Sequence, residues 1–357
     1  MKVKVIIENE PPLYPGTVLR GKFTCSVDSS TQIRSVKIRC YGKEYTEWRG
    51  SGKNAPTYIG THYFFQMETK LFEPEDGVLN PGFYSYPFTF LLPPSLPSTF
   101  EFPYGYVRYS LKGIVDIPLA FDPTDRVDLA VISILDISTL PESLRQPCQT
   151  RDESMMGCCL VFNSEPVTVE AQINKRVFIV GEIIKINMEV NNTSGDNLEG
   201  VEVKLVRSLA AHSEKPRHDI RYINEDLIIK TFSGVGAHGQ QTYDVNLRIP
   251  SDLPVPNLVT CQLLESIYRV EVVGKTSGLN RDINFVLAEI SIGHVDGPGW
   301  SGPSSSGISD PSPYPPAYPS QSSGYPYPPD ERSKTSIGFA SAQPSAPPSY
   351  KELNGEY

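Results

Sequence analysis

Apolar and polar residues alternate over short stretches along most of the first 290 or so residues. The clearest stretch follows Gly181, where every second residue is apolar: Ile184, Ile186, Met188 and Val190. A period of two is that of a strand with one buried face, and a glycine tolerates the positive φ of a tight turn before it. The pattern therefore predicts a turn at Gly181 that leads into a β-strand.

A weaker copy of this turn and strand occurs earlier in the chain, at residues 15–25. A second pair of similar segments follows in the same order. Residues 90–97 lead to a predicted strand at 107–111, and residues 247–254 lead to one at 268–272. Two matched pairs in one order indicate a duplicated β domain.

The first copy contains seven strand-like runs, separated by turn signals such as Asn80-Pro81-Gly82. No long 3.6-residue periodicity interrupts them, so we predict an antiparallel β-sandwich over residues 1–138. Residues 99–106 are predicted to form a loop, because Pro103 and Gly105 disfavour a helix there. The predicted strands cover residues 3–7, 18–27, 33–40, 63–67, 86–92, 107–115 and 127–135.

The alternation stops at residues 139–165, which are predicted to connect two domains, and returns over 166–294 as a second sandwich. After His294, 13 of the 33 prolines occur among many serines and few aliphatic residues. Such a segment buries too little apolar surface to offset its ordering entropy, so residues 295–357 are expected to be disordered. The predicted fold class is all-β: two tandem immunoglobulin-like sandwiches and a Pro-rich tail.

Composition narrows the class of protein. The formal net charge of −9 argues against general nucleic-acid binding. No signal-peptide pattern is present, and the longest apolar run is far too short to cross a bilayer. None of the six cysteines forms a Cys-x-x-Cys motif, and Cys25 and Cys40 fall on the buried phase of their strands. We therefore expect free thiols in a soluble, intracellular protein.

Charge is uneven along the chain. Residues 1–70 carry eleven Lys or Arg against six Asp or Glu. A basic face that includes Arg34, Lys37 and Arg39 is one interpretation, and an ordinary solvated strand face is the favoured one.

The vicinal pair Cys158–Cys159 in the predicted connector has three interpretations. Packing or chance is favoured, and reversible acylation next to a membrane is the alternative with a function. Metal binding is the weakest, because no histidine lies near enough in the sequence to complete a ligand set.

No catalytic pattern emerges. Residues 234–239 match the Gly-x-Gly-x-x-Gly dinucleotide fingerprint, but a strand-like pattern follows them instead of a helix. The segment therefore offers no helix N-terminus that could bind a phosphate, and we predict a hairpin loop there. The five histidines are scattered, and no nucleophile elbow or carboxylate pair stands out. We predict a protein that is not an enzyme and that has no cofactor and no metal site.

The tail carries two Pro-Pro-x-Tyr motifs and one Pro-Ser-Ala-Pro motif. Prolines pre-set an extended left-handed helix that fits an aromatic groove, and the tyrosine fills a neighbouring pocket, which is how WW domains bind their ligands. In a tail of this composition chance gives ~0.25 of the first motif and ~0.03 of the second. The residues are Pro315, Pro316 and Tyr318; Pro347, Pro348 and Tyr350; and Pro344, Ser345, Ala346 and Pro347.

With two sandwiches and this tail, the sequence resembles the arrestin-domain-containing proteins, or α-arrestins. The resemblance covers residues 1 to about 293, and the tail is similar in its type of composition and motifs. Residues 233–236 hold no cysteine where the redox-active branch of the family has one, so thioredoxin binding is not implied. The segments that carry the resemblance include Tyr14-Pro15-Gly16, Leu92-Pro93-Pro94, Gly105-Tyr106-Val107-Arg108-Tyr109, Gly181-Glu182, Ile249-Pro250, Cys261-Gln262-Leu263-Leu264, Tyr268-Arg269-Val270 and Phe285-Val286-Leu287-Ala288-Glu289-Ile290.

The resemblance implies a cytoplasmic adaptor at the plasma membrane and endosomes. Its arrestin domains would engage receptors or transporters as cargo, and Pro-Pro-x-Tyr motifs would recruit HECT-type ubiquitin ligases through their WW domains. The Pro-Ser-Ala-Pro motif resembles the element that binds ESCRT-I. The alternatives are a metabolic or redox regulator and a retromer-type scaffold, both acting without a ligase.

Overall fold

A computed structural model describes residues 1–155, 165–276 and 281–295. These residues form two β-sandwiches, and their one helical element is the 3₁₀ turn Glu142–Leu144. The strands of the first sandwich are β1 Lys2–Ile7, β2 Val18–Val27, β3 Thr31–Gln32, β4 Ser35–Arg49, β5 Thr57–Phe72, β6 Val78–Leu79, β7 Gly82–Leu91, β8 Phe100–Phe102, β9 Gly105–Asp116 and β10 Thr124–Leu129. Those of the second are β11 Cys148–Met155, β12 Pro166–Ile173, β13 Val177–Ile179, β14 Ile183–Asn192, β15 Leu198–His212, β16 Ile220–Val235, β17 Gly239–Arg248, β18 Leu264–Lys275 and β19 Ile283–Gly293.

The two sandwiches repeat one topology. In the first, the order β1-β2-β7 faces the order β10-β9-β4-β5, with the short β8 paired to β9. In the second, the order β12-β14-β17 recurs with β11 added outside β12, and β19-β18-β15-β16 recurs with β13 added outside β19. The turn glycines Gly16 and Gly181 have φ of +76° and +85°, as predicted. The all-β class and the duplication are confirmed.

Each sandwich encloses an apolar core between its two sheets. In the first core, Phe23 from one sheet and Tyr109 from the other are fully buried. In the second core, Phe178 and Phe285 are fully buried. Burying a large apolar side chain contributes about 1.5 to 3 kcal/mol, so the alternation visible in the sequence supplies the main driving force for each sandwich.

Three local predictions were wrong in the first sandwich and the connector. Residues 99–106 are not a loop, because Phe100–Phe102 pairs with the start of β9 and Pro103 occupies only the turn. The predicted strand at 127–135 ends at Leu129, and the following residues bend to bond with Leu13. The predicted connector contains β11, whose mostly exposed residues show no apolar alternation because it is an edge strand.

The prediction of a hairpin at residues 234–239 was also wrong. β16 pairs with β15 and β17 pairs with β14, so the segment crosses from one sheet of the second sandwich to the other. The strand expected after the glycines is present as β17, and Gly239 begins it. The fingerprint glycines therefore precede a strand, as the sequence pattern indicated, although they do not close a hairpin.

Candidate functional site

The most extensive functional candidate within the described residues is the junction between the two sandwiches. Four apolar residues of the second sandwich belong to the core of the first: Leu209, Ala211, Leu258 and Leu264. The apolar core of the first sandwich therefore continues into the second. Hydrogen bonds around this shared apolar cluster fix how the two sandwiches pack.

Glu44 is the central polar residue of the junction. It lies on the buried phase of β4, and its side chain is completely inaccessible to solvent. Its Oε1 accepts the backbone N–H of Gln262 at 2.7 Å and its Oε2 accepts that of Leu263 at 3.0 Å. His62 on β5 approaches Oε1 with Nδ1 at 2.9 Å. One carboxylate of the first sandwich thus satisfies two backbone donors of the second.

The Cys261 thiol lies beside this carboxylate. Burial, and then the charge of Glu44, raise its pKa, so the thiol stays protonated. A partly buried thiol that stays protonated is a poor nucleophile, and Cys261 therefore belongs to the packing of the junction.

A short backbone bridge continues the junction at the start of β5. The N–H of Ile59 donates to the carbonyl of Lys215 at 2.8 Å, and the N–H of Lys215 donates back at 2.9 Å. Beside it, the Thr46 hydroxyl donates to the carbonyl of His212 at 2.6 Å. Gly60 permits this approach, because a Cβ there would lie 2.7 Å from Thr46 Oγ1 and 3.0 Å from the His212 carbonyl.

A second polar cluster joins Ser98 and Ser133 of the first sandwich to Asn257 of the second. The Ser98 N–H donates to the carbonyl of Asn257 at 2.9 Å. The Asn257 amide donates to Ser133 Oγ at 3.0 Å, and the Ser98 hydroxyl donates to the Ser133 carbonyl at 3.2 Å. These three side chains bond mainly to each other and to backbone, which favours a fixed joint over a ligand site.

Two histidines lie together at the edge of the junction. The distance between His212 Nδ1 and His218 Nε2 is 3.3 Å, and that between His212 Nε2 and Glu265 Oε1 is 3.2 Å. The proximity of His212 lowers the pKa of Glu265. No group of three or more His, Cys, Asp or Glu among the described residues is arranged to hold a metal ion.

His294 closes the junction at the end of β19. The N–H of Leu135 donates to its Nδ1 at 3.2 Å, and its own N–H donates to the Leu135 carbonyl at 2.9 Å. Burial lowers the pKa of His294 below the ordinary 6.5. The accepting nitrogen needs its lone pair for the hydrogen bond, so protonation would break this contact.

The lowered pKa of His294 predicts a loss of stability in acid. The unfolded chain binds the proton first, so stability is present above pH 6.5 and falls as the pH drops below it. Stability is therefore expected to fall progressively as the pH is lowered through and below 6.5. Urea unfolding of the wild type and of His294→Asn, which keeps an acceptor that does not titrate, measures the difference. Equal losses in both proteins would contradict the prediction.

The residues predicted from the sequence to bind partners lie elsewhere. Cys158, Cys159 and every motif residue of the tail are outside the described residues. Cys25 and Cys40 are buried as predicted, and burial raises the pKa of their thiols to about 11 and about 12. None of the described residues forms a helix long and apolar enough to span a membrane.

The junction was missed by the sequence analysis. One signal was available: Glu44 falls on the buried phase of β4, between Cys40 and Trp48, where a carboxylate needs partners. Nothing in the local sequence identifies those partners, because Gln262 lies 218 residues further along the chain.

Two β-sandwiches of one topology, joined by a shared apolar contact and buried hydrogen bonds, define a class of two-domain scaffold. Family models support this assignment. Residues 3–138 match the model "Arrestin (or S-antigen), N-terminal domain", and residues 163–296 match the C-terminal domain model. The chain therefore belongs to the arrestin family.

Similar proteins include arrestin domain-containing proteins of three species. Arrestin domain-containing protein 1 of Rattus norvegicus is 23% identical over 294 residues, which cover 82% of this chain and 65% of the rat protein. Arrestin domain-containing protein 17 of Caenorhabditis elegans is 27% identical over 76% of this chain and 66% of its own. Arrestin domain-containing protein 4 of Homo sapiens is 27% identical over 50% of this chain and 45% of its own. The chain spans less than two thirds of the rat protein's length.

Proposed function

We propose that this protein is a non-catalytic adaptor that brings HECT-type ubiquitin ligases to membrane-protein cargo for endosomal sorting. The arrestin domains bind receptors or transporters at the cytoplasmic side of the plasma membrane and of endosomes. The tail binds WW domains of the ligase through its Pro-Pro-x-Tyr motifs. ESCRT-I binds the Pro-Ser-Ala-Pro motif.

The observation that carries the proposal is the attachment of paired WW-binding motifs to a two-domain arrestin scaffold. Two Pro-Pro-x-Tyr motifs begin at Pro315 and Pro347, both after the last strand of the second sandwich. Two motifs on one chain permit bivalent binding to a ligase with tandem WW domains. A rigid scaffold and a ligase-binding tail are the two parts that an adaptor needs.

The direct test is proximity labelling with the full chain and with a chain that ends at His294. The full chain is expected to label WW-domain ligases and membrane cargo, and the truncated chain only cargo. Retention of every ligase by the truncated chain would refute ligase recruitment. In that case a regulator or a retromer-type scaffold, both of which act without a ligase, would replace the adaptor.

The tail motifs overlap at one residue, which predicts competition. Pro347 ends the Pro-Ser-Ala-Pro motif and begins the second Pro-Pro-x-Tyr motif. Both modes of binding enclose proline rings in an aromatic-lined groove, so a WW domain and the ESCRT-I subunit are expected to exclude each other there. A titration on a peptide of residues 341–354 measures the competition.

Three substitutions in that peptide separate the two contacts. Pro344→Ala is expected to abolish only ESCRT-I binding, Tyr350→Ala only WW binding, and Pro347→Ala both. A ternary complex on the wild-type peptide would contradict exclusion.

Acylation of Cys158 and Cys159 would add membrane affinity. A single acyl chain gives only marginal anchoring, so loss of both thiols is expected to shift the protein markedly into the cytosol. Fractionation of cells that express Cys158→Ser/Cys159→Ser tests this, with Cys148→Ser as the matched control. An unchanged distribution, with no hydroxylamine-sensitive label on the wild type, would leave the pair as ordinary thiols.

A further inference from the structure

The outer face of the sheet β10-β9-β4-β5 carries a block of cations on neighbouring strands. Strand register places basic residues directly opposite each other in four pairs: Lys37 and Lys70, Arg39 and Lys112, Lys43 and Arg108, and Lys112 and Arg126. Like charges at facing positions destabilise a sheet. The folded protein therefore tolerates repulsion on this face, although its net charge is −9.

The equivalent sheet of the second sandwich shows the opposite arrangement. Its facing positions pair a cation with a carboxylate: Arg207 with Glu225, Lys204 with Glu271, and Arg269 with Glu289. The cation–cation facing pairs therefore occur in the first sandwich, where carboxylates from other positions bind several of the cations.

Carboxylates lie around the cationic block. Asp116 binds Lys37 at 3.1 Å, Glu68 binds Arg39 at 2.7 Å, and Asp128 binds Arg126 at 2.9 Å. Arg108 is likewise paired with Glu101. The exposed pairs among these contribute about 0 to 1 kcal/mol each, whereas Asp116 is only 17% exposed. A dense anionic surface can therefore compete with them for the cations.

Tyrosines lie among the cations on the same face. Lys43 Nζ lies 5.5 Å from the ring centre of Tyr45 and 5.9 Å from that of Tyr106. The guanidinium of Arg108 lies 3.9 Å from the centre of the Tyr106 ring. Tyrosine and basic side chains are both suited to the polar headgroup layer of a membrane.

An independent feature extends from the same sheet. The loop of residues 117–123 joins β9 to β10, and it carries the two most exposed large apolar side chains among the described residues. Leu119 is fully exposed and Phe121 is 90% exposed. A basic surface can contact the charged headgroups of a bilayer while apolar side chains at a neighbouring loop tip enter the hydrocarbon beneath them.

We propose that this face of the first sandwich, with Leu119 and Phe121 inserted, binds the surface of an anionic lipid bilayer. The cationic block spans about 14 Å across four strands and about 20 Å along β4, which is wide enough for several headgroups. The exposed apolar loop favours a bilayer over an acidic peptide, since a peptide would leave both side chains in water. The inference deepens the proposed membrane location and does not involve the ligase.

Vesicle co-sedimentation tests the proposal with the purified full chain carrying Cys158→Ser/Cys159→Ser, so that acylation cannot contribute. Binding to phosphatidylcholine vesicles with about 30% phosphatidylserine is expected to exceed binding to phosphatidylcholine alone at least tenfold, and to weaken with added salt. Absence of this preference would overturn the proposal. Since no ligase is present, the result is independent of ligase recruitment.

Two variants address the two features separately. Lys112→Glu places a carboxylate in two positions that face cations, so it is expected to lose about tenfold in vesicle binding. Leu119→Ser/Phe121→Ser is expected to lose about tenfold as well, because both side chains leave the hydrocarbon. Thermal unfolding of each variant verifies that it folds.

Matched controls come from other faces of the molecule. Lys230→Glu reverses an exposed charge on β16, and Phe83→Ser/Leu91→Ser removes two exposed apolar side chains from β7. Both are expected to bind vesicles within twofold of the parent. Controls that lose as much as the test variants would overturn the proposal. Binding of an Asp- and Glu-rich peptide that Lys112→Glu abolishes, with vesicle binding unchanged, would assign the face to a polypeptide instead.

Discussion

Replacement of Glu44 by alanine is expected to destabilise the protein by about 3 to 5 kcal/mol. The substitution removes both acceptors of the Gln262 and Leu263 N–H groups and the partner of His62. These groups lie where the side chain of Glu44 is completely buried, so water cannot replace the lost oxygens without entering the junction. Equilibrium unfolding in urea measures the change, and limited proteolysis tests whether the two sandwiches separate first.

Two further variants calibrate the Glu44 result. Glu44→Gln retains one acceptor oxygen but sets an NH₂ group against a backbone N–H. Its free energy of unfolding is therefore expected to lie between that of the wild type and that of Glu44→Ala. Glu47→Ala removes an exposed carboxylate from the same strand and is expected to change stability by no more than about 0.5 kcal/mol. A loss below about 1 kcal/mol in Glu44→Ala would show that the carboxylate does not hold the junction together.

The double variant Tyr318→Ala/Tyr350→Ala is expected to abolish binding of a ligase with tandem WW domains. The two Pro-Pro-x-Tyr motifs begin 32 residues apart, which for a flexible chain corresponds to roughly 30 Å. Once one WW domain is bound, the second motif acts at an effective concentration that reaches the mM range. Avidity should therefore exceed the affinity of either motif by about 10²-fold or more.

The single variants test whether the two motifs bind a tandem ligase bivalently or independently of each other. Tyr318→Ala and Tyr350→Ala should each reduce affinity to that of one motif, while a single isolated WW domain should detect only a small change. Tyr314→Ala, which leaves both motifs intact, is the matched control. Titration calorimetry with one WW domain and with a linked pair provides the measurements. Full binding by the double variant would refute the adaptor proposal.

The strand pattern was predictable wherever one face of a strand is buried. β2 at Val18–Val27 matches its predicted bounds, and the turn glycines adopt the predicted positive φ. β11 escaped prediction because an exposed edge strand buries too few side chains to produce alternation. β4 and β5 are longer than predicted, because residues at their ends point into the junction or into solvent.

The sequence by itself determined the all-β class, the duplication and the tail motifs, because strand period, turn chemistry and short linear motifs are properties of neighbouring residues. Only the tertiary structure identified the partners of Glu44 and the facing cations on β4, β5, β9 and β10. These contacts join residues far apart in the chain, such as Lys37 and Lys70 or Glu44 and Leu263, which meet through strand register and domain packing. A one-residue slip in register would replace every facing pair, so local sequence cannot specify them.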